Sequence, residues 1–174
     1  MRKILFVIPS MRIGGAEKSL VNLLNLIDLN EYDVNLLMFK PEGDFLQQIP
    51  SGIHILETEP SLFYAYKCDK NVFSYKSGIR SEMLRIISTG ICKILYGNCA
   101  RQKRWTGFYK QLLPKHMGEY DVAIGYLEGD ASYYVIDKVN AKRKILWVHS
   151  NFENIKKNED AAVYKEYFCK ADKV

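Results

Sequence analysis

Two adjacent glycines, Gly14 and Gly15, separate an apolar run at residues 4–8 from an amphipathic segment that begins at Ala16. The amphipathic segment predicts a helix, whose first turn carries unpaired backbone N–H groups and the positive end of the helix dipole. Because glycines have no side chain, an anion or a sugar can reach those amides. Glu17 lies in this first turn, where a negative charge is favourable. The pattern fits a ligand site built from backbone amides, and it fits a tight turn without a ligand equally well.

The spacing of the glycines differs from two common phosphate-binding motifs. The adjacent pair does not match the G-x-G-x-x-G pattern of dinucleotide-binding loops, and Lys18-Ser19 lacks the preceding glycine of a P-loop. The chain also has no D-x-D triplet and no clustered set of histidines and cysteines. We therefore expect neither a metal nor a cofactor.

Strand-like and helix-like segments alternate along the chain. The segments predicted as strands are residues 4–8, 32–39, 52–56, 120–126 and 143–148. Residues 16–28, 41–49, 78–97, 104–117, 130–139 and 159–171 contain the helix predictions. Residues 57–77 are irregular and aromatic, and the final ADKV resembles the opening of another strand. This alternation predicts an α/β fold, a Rossmann-like three-layer domain with a mostly parallel sheet.

Composition limits the class of protein. A chain of 174 residues with 48% hydrophobic and 26% charged residues is long enough for one folded domain with a sizeable core. The longest apolar runs are too short to cross a bilayer. The four cysteines, Cys68, Cys92, Cys99 and Cys169, form no C-x-x-C pair and are expected to be reduced thiols. These features predict a cytoplasmic protein.

The middle of the chain is strongly basic. Residues 76–115 contain nine Lys or Arg and one acid, Glu82, interleaved with aromatic residues. This composition fits a helix at an anionic membrane surface, a surface for single-stranded nucleic acid, or a solvated basic face over an ordinary core. The candidates for contact with a membrane are Arg101, Lys103, Arg104 and Trp105.

The segment IPSMRIGGAEKSLVNLL, residues 8–24, resembles the N-terminal signature of family 4 retaining glycosyltransferases. The resemblance continues through EYDVAIGYLEG, KILWVHSN and YFCKADKV, and so extends in order along the chain, apart from residues 57–117. It implies the GT-B fold, in which two Rossmann-like domains face each other across a cleft. Residues 1–174 would be the N-terminal, acceptor-side domain, without the C-terminal domain that binds the donor.

The resemblance also implies roles for individual residues. Gly14 and Gly15 match the loop that approaches the diphosphate and sugar of the donor, and Glu17 matches the acid of that loop. His149 matches a histidine at a strand end. Glu128 stands where many members have a histidine that contacts the transferred sugar, which leaves the identity of that sugar open. No metal and no cofactor besides the nucleotide-sugar substrate are implied.

The resemblance implies a transferase that passes a sugar from a nucleotide-sugar to a cell-surface glycan or lipid-linked acceptor. This chain alone is then expected to be inactive, because it lacks the donor-binding domain. Lipid-linked acceptors favour an anionic membrane surface as partner, with peripheral attachment at its inner face, and no nucleic acid is expected. The alternative is a non-catalytic Rossmann-like module that binds nucleotide or nucleic acid through the same helix N-terminus and the basic segment.

Overall fold

The computed structural model describes residues 1–66, 76–151 and 161–174, with no account of the side chains of Tyr64, Arg101 and residues 76–82. Its centre is a five-stranded sheet in which every pairing is parallel. The strands are β1 (Arg2–Ile8), β2 (Tyr32–Met38), β3 (His54–Ile55), β4 (Glu119–Gly125) and β5 (Asn140–Leu146). This arrangement confirms the predicted α/β class.

The central strand β1 is buried on both faces because its apolar residues, 4–8, are continuous. In β1, Leu5 and Val7 point into one apolar cluster, whereas Phe6 and Ile8 point into the other. Because side chains alternate along the strand, the apolar run of β1 contributes to two cores, one on each face of the sheet.

Helices cover both faces of the sheet. They are α1 (Gly15–Leu26), α2 (Pro60–Tyr66), α3 (Lys76–Tyr96), α4 (Ala100–Arg104), α5 (Lys110–Leu112), α6 (Asp130–Lys138) and α7 (Ala161–Phe168). Leu20, Val21 and Leu24 of α1 belong to the core on one face. Side chains from α2, α6 and α7 belong to the core on the other face, so the domain has three layers. Helix α3 packs against α2 and α4.

Several segments differ from the predicted pattern. Residues 60–66 form α2 within the stretch predicted to be irregular, and residues 67–75 of that stretch lie outside the described residues. The helix predicted at 104–117 is instead α4, a single π-helical turn at Trp105–Tyr109 and α5. Strand β3 has only two residues. The final segment makes one parallel bridge, between Ile145 and Lys173, as a further strand would begin.

The strand order β3-β2-β1-β4-β5 creates a switch point between β1 and β4. The chain leaves β1 toward one face and leaves β4 toward the other, so the loops that follow these strands diverge. Open parallel sheets bind ligands in the crevice between such loops, at the carboxyl ends of the strands. The loop that precedes α1 and the loop that precedes α6 are therefore the two walls of the expected crevice.

Within the described part of the chain, no helix has both the length and the apolar character to cross a membrane. The three described cysteines, Cys92, Cys99 and Cys169, are free.

Candidate functional site

The glycine pair lies at the N-terminus of α1. Gly14 is the N-cap residue, its backbone is extended with φ −169° and ψ 163°, and no side chain caps the helix start. Its carbonyl accepts the first helical hydrogen bond from the Lys18 amide, at 3.0 Å. Gly15 is exposed, and a Cβ added to it would meet no atom within 4 Å. The next backbone amides have no intrahelical acceptor.

The backbone at the pair does not itself require glycine. An extended residue such as Gly14 can be of any type, and Gly15 is helical. The glycine that this loop region does require is Gly43, which has φ 126° and packs against the backbone of Met11. A tight turn therefore does not explain Gly14 and Gly15.

Glu17 folds back over the start of its own helix. A Cβ on Gly14 would overlap the Glu17 carboxylate, so the glycine leaves room for that side chain. A carboxylate in this place complements the helix dipole and offers oxygen acceptors beside the free amides. The site thus combines amide donors for an anion with an acceptor suited to hydroxyl groups.

Tyr126 links α1 to the loop that follows β4. It is fully buried, its amide donates to the Val7 carbonyl at 2.9 Å, and its ring lies 5.9 Å from that of Phe6. Its hydroxyl lies 3.0 Å from the Ser19 hydroxyl, one helical turn after Gly15. This contact holds the N-terminal half of α1 against the end of β4.

The loop after β5 adds two aromatic side chains to the same place. Trp147 donates its amide to the Gly125 carbonyl at 2.9 Å, and its ring lies 4.9 Å from that of Tyr126. The His149 ring lies 4.9 Å from Tyr126 and stacks with Trp147 at 6.2 Å. Its Nε2 is shielded from solvent and has no hydrogen-bond partner among the described residues.

Glu128 is hydrogen-bonded to the loop that carries His149. One carboxylate oxygen accepts the His149 amide at 3.0 Å, and the other accepts the Ser150 hydroxyl. Burial alone would raise the pKa of Glu128, but the hydrogen bonds from Ser150 and His149 outweigh it, so the pKa is lowered. Glu128 is therefore an anion at neutral pH that fixes the position of the neighbouring loop.

The five residues predicted for donor or acceptor binding all lie at the carboxyl edge of the sheet. The contacts from Ser19 through Tyr126 and His149 to Glu128 connect the helix of the glycine pair with the loops after β4 and β5. The sequence-based prediction missed Ser19, Tyr126 and Trp147. Tyr126 and Trp147 each precede a predicted residue by two positions, and this spacing along an extended chain was the signal for them.

Two of the residues predicted at a membrane surface lie inside the protein. Trp105 is fully buried, and its indole N–H donates to Asp137 at 2.9 Å. Arg104 is largely buried: it lies 3.9 Å from the Asp130 carboxylate and donates to Thr89 at 3.0 Å. The prediction is therefore wrong for both, because each side chain has a polar partner inside the fold and little contact with solvent.

Of the other two membrane candidates, Lys103 and Arg101, the structure describes the side chain of Lys103 only. Lys103 is half-buried, and its Nζ lies 6.0 Å from the centre of the Tyr96 ring. The Arg101 side chain lies outside the described atoms.

The described residues form no metal site, and comparison with known proteins identifies no family for this chain. Within residues 1–66, 76–151 and 161–174, no three His, Cys, Asp or Glu side chains are grouped to hold a metal ion. The chain matches no protein-family model, no curated protein and no solved structure. Its function has to be inferred from its own residues and their geometry.

Proposed function

We propose that this protein is the acceptor-side domain of a retaining glycosyltransferase, which transfers a sugar from a nucleotide-sugar to a glycan or lipid-linked acceptor. The support is the resemblance of residues 8–24 to family 4 glycosyltransferases together with the placement of the same residues in the fold. The observation that carries the proposal is the open amide start of α1, next to the switch point between β1 and β4.

In this proposal, the α1 amides bind the diphosphate of the donor. As the bond between sugar and diphosphate breaks, negative charge grows on the diphosphate, and oriented amides at a helix start stabilise that charge. The Glu17 carboxylate accepts hydrogen bonds from sugar hydroxyls beside the amides. Glu128, held by the amide of His149, keeps the loop after β5 against the site.

A second domain would supply the opposite wall of the site and the remaining charges. With one wall, a diphosphate on this chain stays largely solvated, and each contact to an amide contributes little in a high dielectric. We therefore expect this chain to bind nucleotide-sugars with a Kd no tighter than about 1 mM, near 4 kcal/mol of binding free energy. Turnover by this chain alone is expected to be undetectable.

Saturation-transfer NMR with UDP-glucose, UDP-N-acetylglucosamine and GDP-mannose tests the proposal, since it detects binding in the millimolar range. The wild type is compared with Gly15→Val, in which a branched side chain covers the amides. Gly90→Val is the matched control, because Gly90 also has open space around it but lies on α3. We expect Gly15→Val to lose the signal and Gly90→Val to keep it.

Three results would contradict the proposal in different ways. Equal signals from Gly15→Val and Gly90→Val would remove the glycine pair from the site. Equal signals from a nucleotide-sugar and its free nucleotide diphosphate would favour the alternative, a nucleotide-binding module without transferase activity. Micromolar affinity would place the complete donor site on this chain and refute the division between two domains.

A further inference from the structure

Helix α3 turns an apolar face away from the protein. The side chains of this outer face are large and each is at least 42% exposed, with Ile94 at 85% and Leu95 at 64%. The outer face of α3 consists of Met83, Ile86, Ile87, Ile91, Ile94, Leu95 and Tyr96. Met83, Ile86, Ile87, Ile91 and Ile94 recur at spacings of three and four, so they form one continuous stripe along about three turns, roughly 17 Å at 1.5 Å per residue. Leu95 and Tyr96 are exposed beside the end of this stripe.

The inner face of α3 is less apolar than the outer one. Ser88 and Cys92 are fully or nearly fully buried, Leu84 is half-buried, and the helix packs against α2 and α4 through this side. The isoleucines of the outer face thus take no part in the core of the described chain. Contiguous apolar surface of this kind on a folded protein marks a site of interaction.

The positive charge around the outer face favours an anionic partner. Residues 83–118 contain no Asp or Glu and seven Lys or Arg. Two of these cations are paired within the fold, Arg104 with Asp130 and Lys110 with Asp137, so they are not counted toward the charge of the outer face. Lys93 is exposed next to Ile94, and Lys103 lies beside the ring of Tyr96 at the end of the face. A second copy docked through this face would bring like charges together, whereas an anionic surface complements them.

We propose that the outer face of α3 docks on a membrane surface that contains anionic phospholipid. The helix lies in the plane of the interface, with its isoleucines at the boundary between headgroups and acyl chains. Tyr96 is placed at the headgroup level, and Lys93 and Lys103 contact lipid phosphates. This proposal does not depend on the proposed function, and it assigns membrane contact to α3 in place of the buried Trp105.

Co-sedimentation with vesicles tests the proposal. The 174-residue chain is mixed with vesicles of equal parts phosphatidylcholine and phosphatidylglycerol, or with vesicles of phosphatidylcholine alone. We expect binding to the anionic vesicles, and a lower bound fraction at about 1 M salt than at about 0.1 M, since the screening length falls from about 10 Å to about 3 Å. Equal binding to both vesicle types would overturn the proposal, as would no binding to either.

Two variants distinguish vesicle binding through the outer face from nonspecific binding through any exposed apolar side chain. Ile94→Ser removes a side chain from the outer face, and we expect it to weaken vesicle binding roughly tenfold. Leu26→Ser is the matched control, because Leu26 is 83% exposed but belongs to α1. Both positions are exposed, so circular dichroism should show unchanged folding. Unchanged vesicle binding by Ile94→Ser, or an equal loss in Leu26→Ser, would overturn the proposal.

Analytical ultracentrifugation tests whether a second copy of the chain, instead of lipid, covers the outer face. We expect the wild type to be monomeric in the absence of vesicles. A wild-type dimer that dissociates in Ile94→Ser would assign the outer face to a second copy of the chain and would overturn docking on lipid.

Discussion

Replacement of Gly43 by valine should lower the stability of the fold far more than replacement of Gly15, although the two glycines lie at neighbouring places in the fold. At Gly15, a new side chain meets nothing within 4 Å and the backbone is helical. Valine should stabilise the fold there by about 0.5 kcal/mol or less, because it has a somewhat better helix propensity than glycine. For a chain of this size, the midpoint of thermal unfolding should change by no more than about 2 °C.

Replacement of Gly43 by valine should lower the stability strongly. Its φ of 126° and ψ of 159° lie in a region that only glycine populates readily, which costs about 1–3 kcal/mol for another residue. A Cβ would also overlap the backbone of Met11, which adds about 1–3 kcal/mol for the displacement. With a total near 4 kcal/mol, the unfolding midpoint of Gly43→Val should fall by roughly 8–16 °C.

Thermal unfolding followed by circular dichroism compares the two variants with the wild type at one protein concentration. If Gly15→Val loses as much stability as Gly43→Val, glycine at position 15 is a structural requirement. The reasoning that reserves this position for a ligand would then be refuted.

Three further predictions concern buried and half-buried polar contacts. Trp105→Ala should destabilise the fold by about 3–5 kcal/mol in urea unfolding, because a fully buried indole is lost; a change under 1 kcal/mol would contradict its burial. Burial lowers the pKa of His116 below its ordinary value of 6.5, and the charge of Lys3 lowers it further. The neutral ring therefore contributes stability that is fully present above about pH 6.5 and is lost as the pH falls. His116→Asn should therefore lose less stability than the wild type between about pH 7.5 and about pH 5, and an equal loss would exclude this role. Glu128→Ala should speed amide hydrogen exchange at His149 roughly fivefold, about 1 kcal/mol for a hydrogen bond to a half-buried charge, whereas unchanged exchange would show that Glu128 does not hold the loop.

The sheet and most of the helices were predictable because their signals are local. The apolar run Ile4–Ile8 is continuous, and Val34–Met38 is interrupted only by Asn35, as expected for strands that are buried on both faces. Ligand-binding residues at strand ends follow from the same pattern, since a parallel sheet gathers its loops at one edge. The positions of Gly14, Glu128 and His149 at that edge could therefore be predicted before any contact was known.

The remaining features depend on contacts between distant parts of the chain. The periodicity of α3 predicts an apolar face but not whether that face turns inward or outward. Trp105 stands among basic residues, yet its partner Asp137 is 32 positions away, and no local pattern reveals such a pairing. The contact between Ser19 and Tyr126, which joins the two walls of the crevice, spans 107 positions. Helix α2 was missed because its aromatic sequence shows no clear helical period.

Amide chemical-shift mapping of the wild-type chain with UDP-glucose tests the central claim most directly. In ¹⁵N-labelled protein, the claim predicts saturable shifts at the amides of Gly15, Ala16 and Glu17, with smaller shifts at His149. Inorganic phosphate at the same concentration serves as the control for an effect of charge alone and should give weaker shifts at the same amides. Shifts confined to other surfaces, or no saturable shift at the start of α1 up to tens of millimolar, would contradict the claim that this helix start binds a nucleotide-sugar.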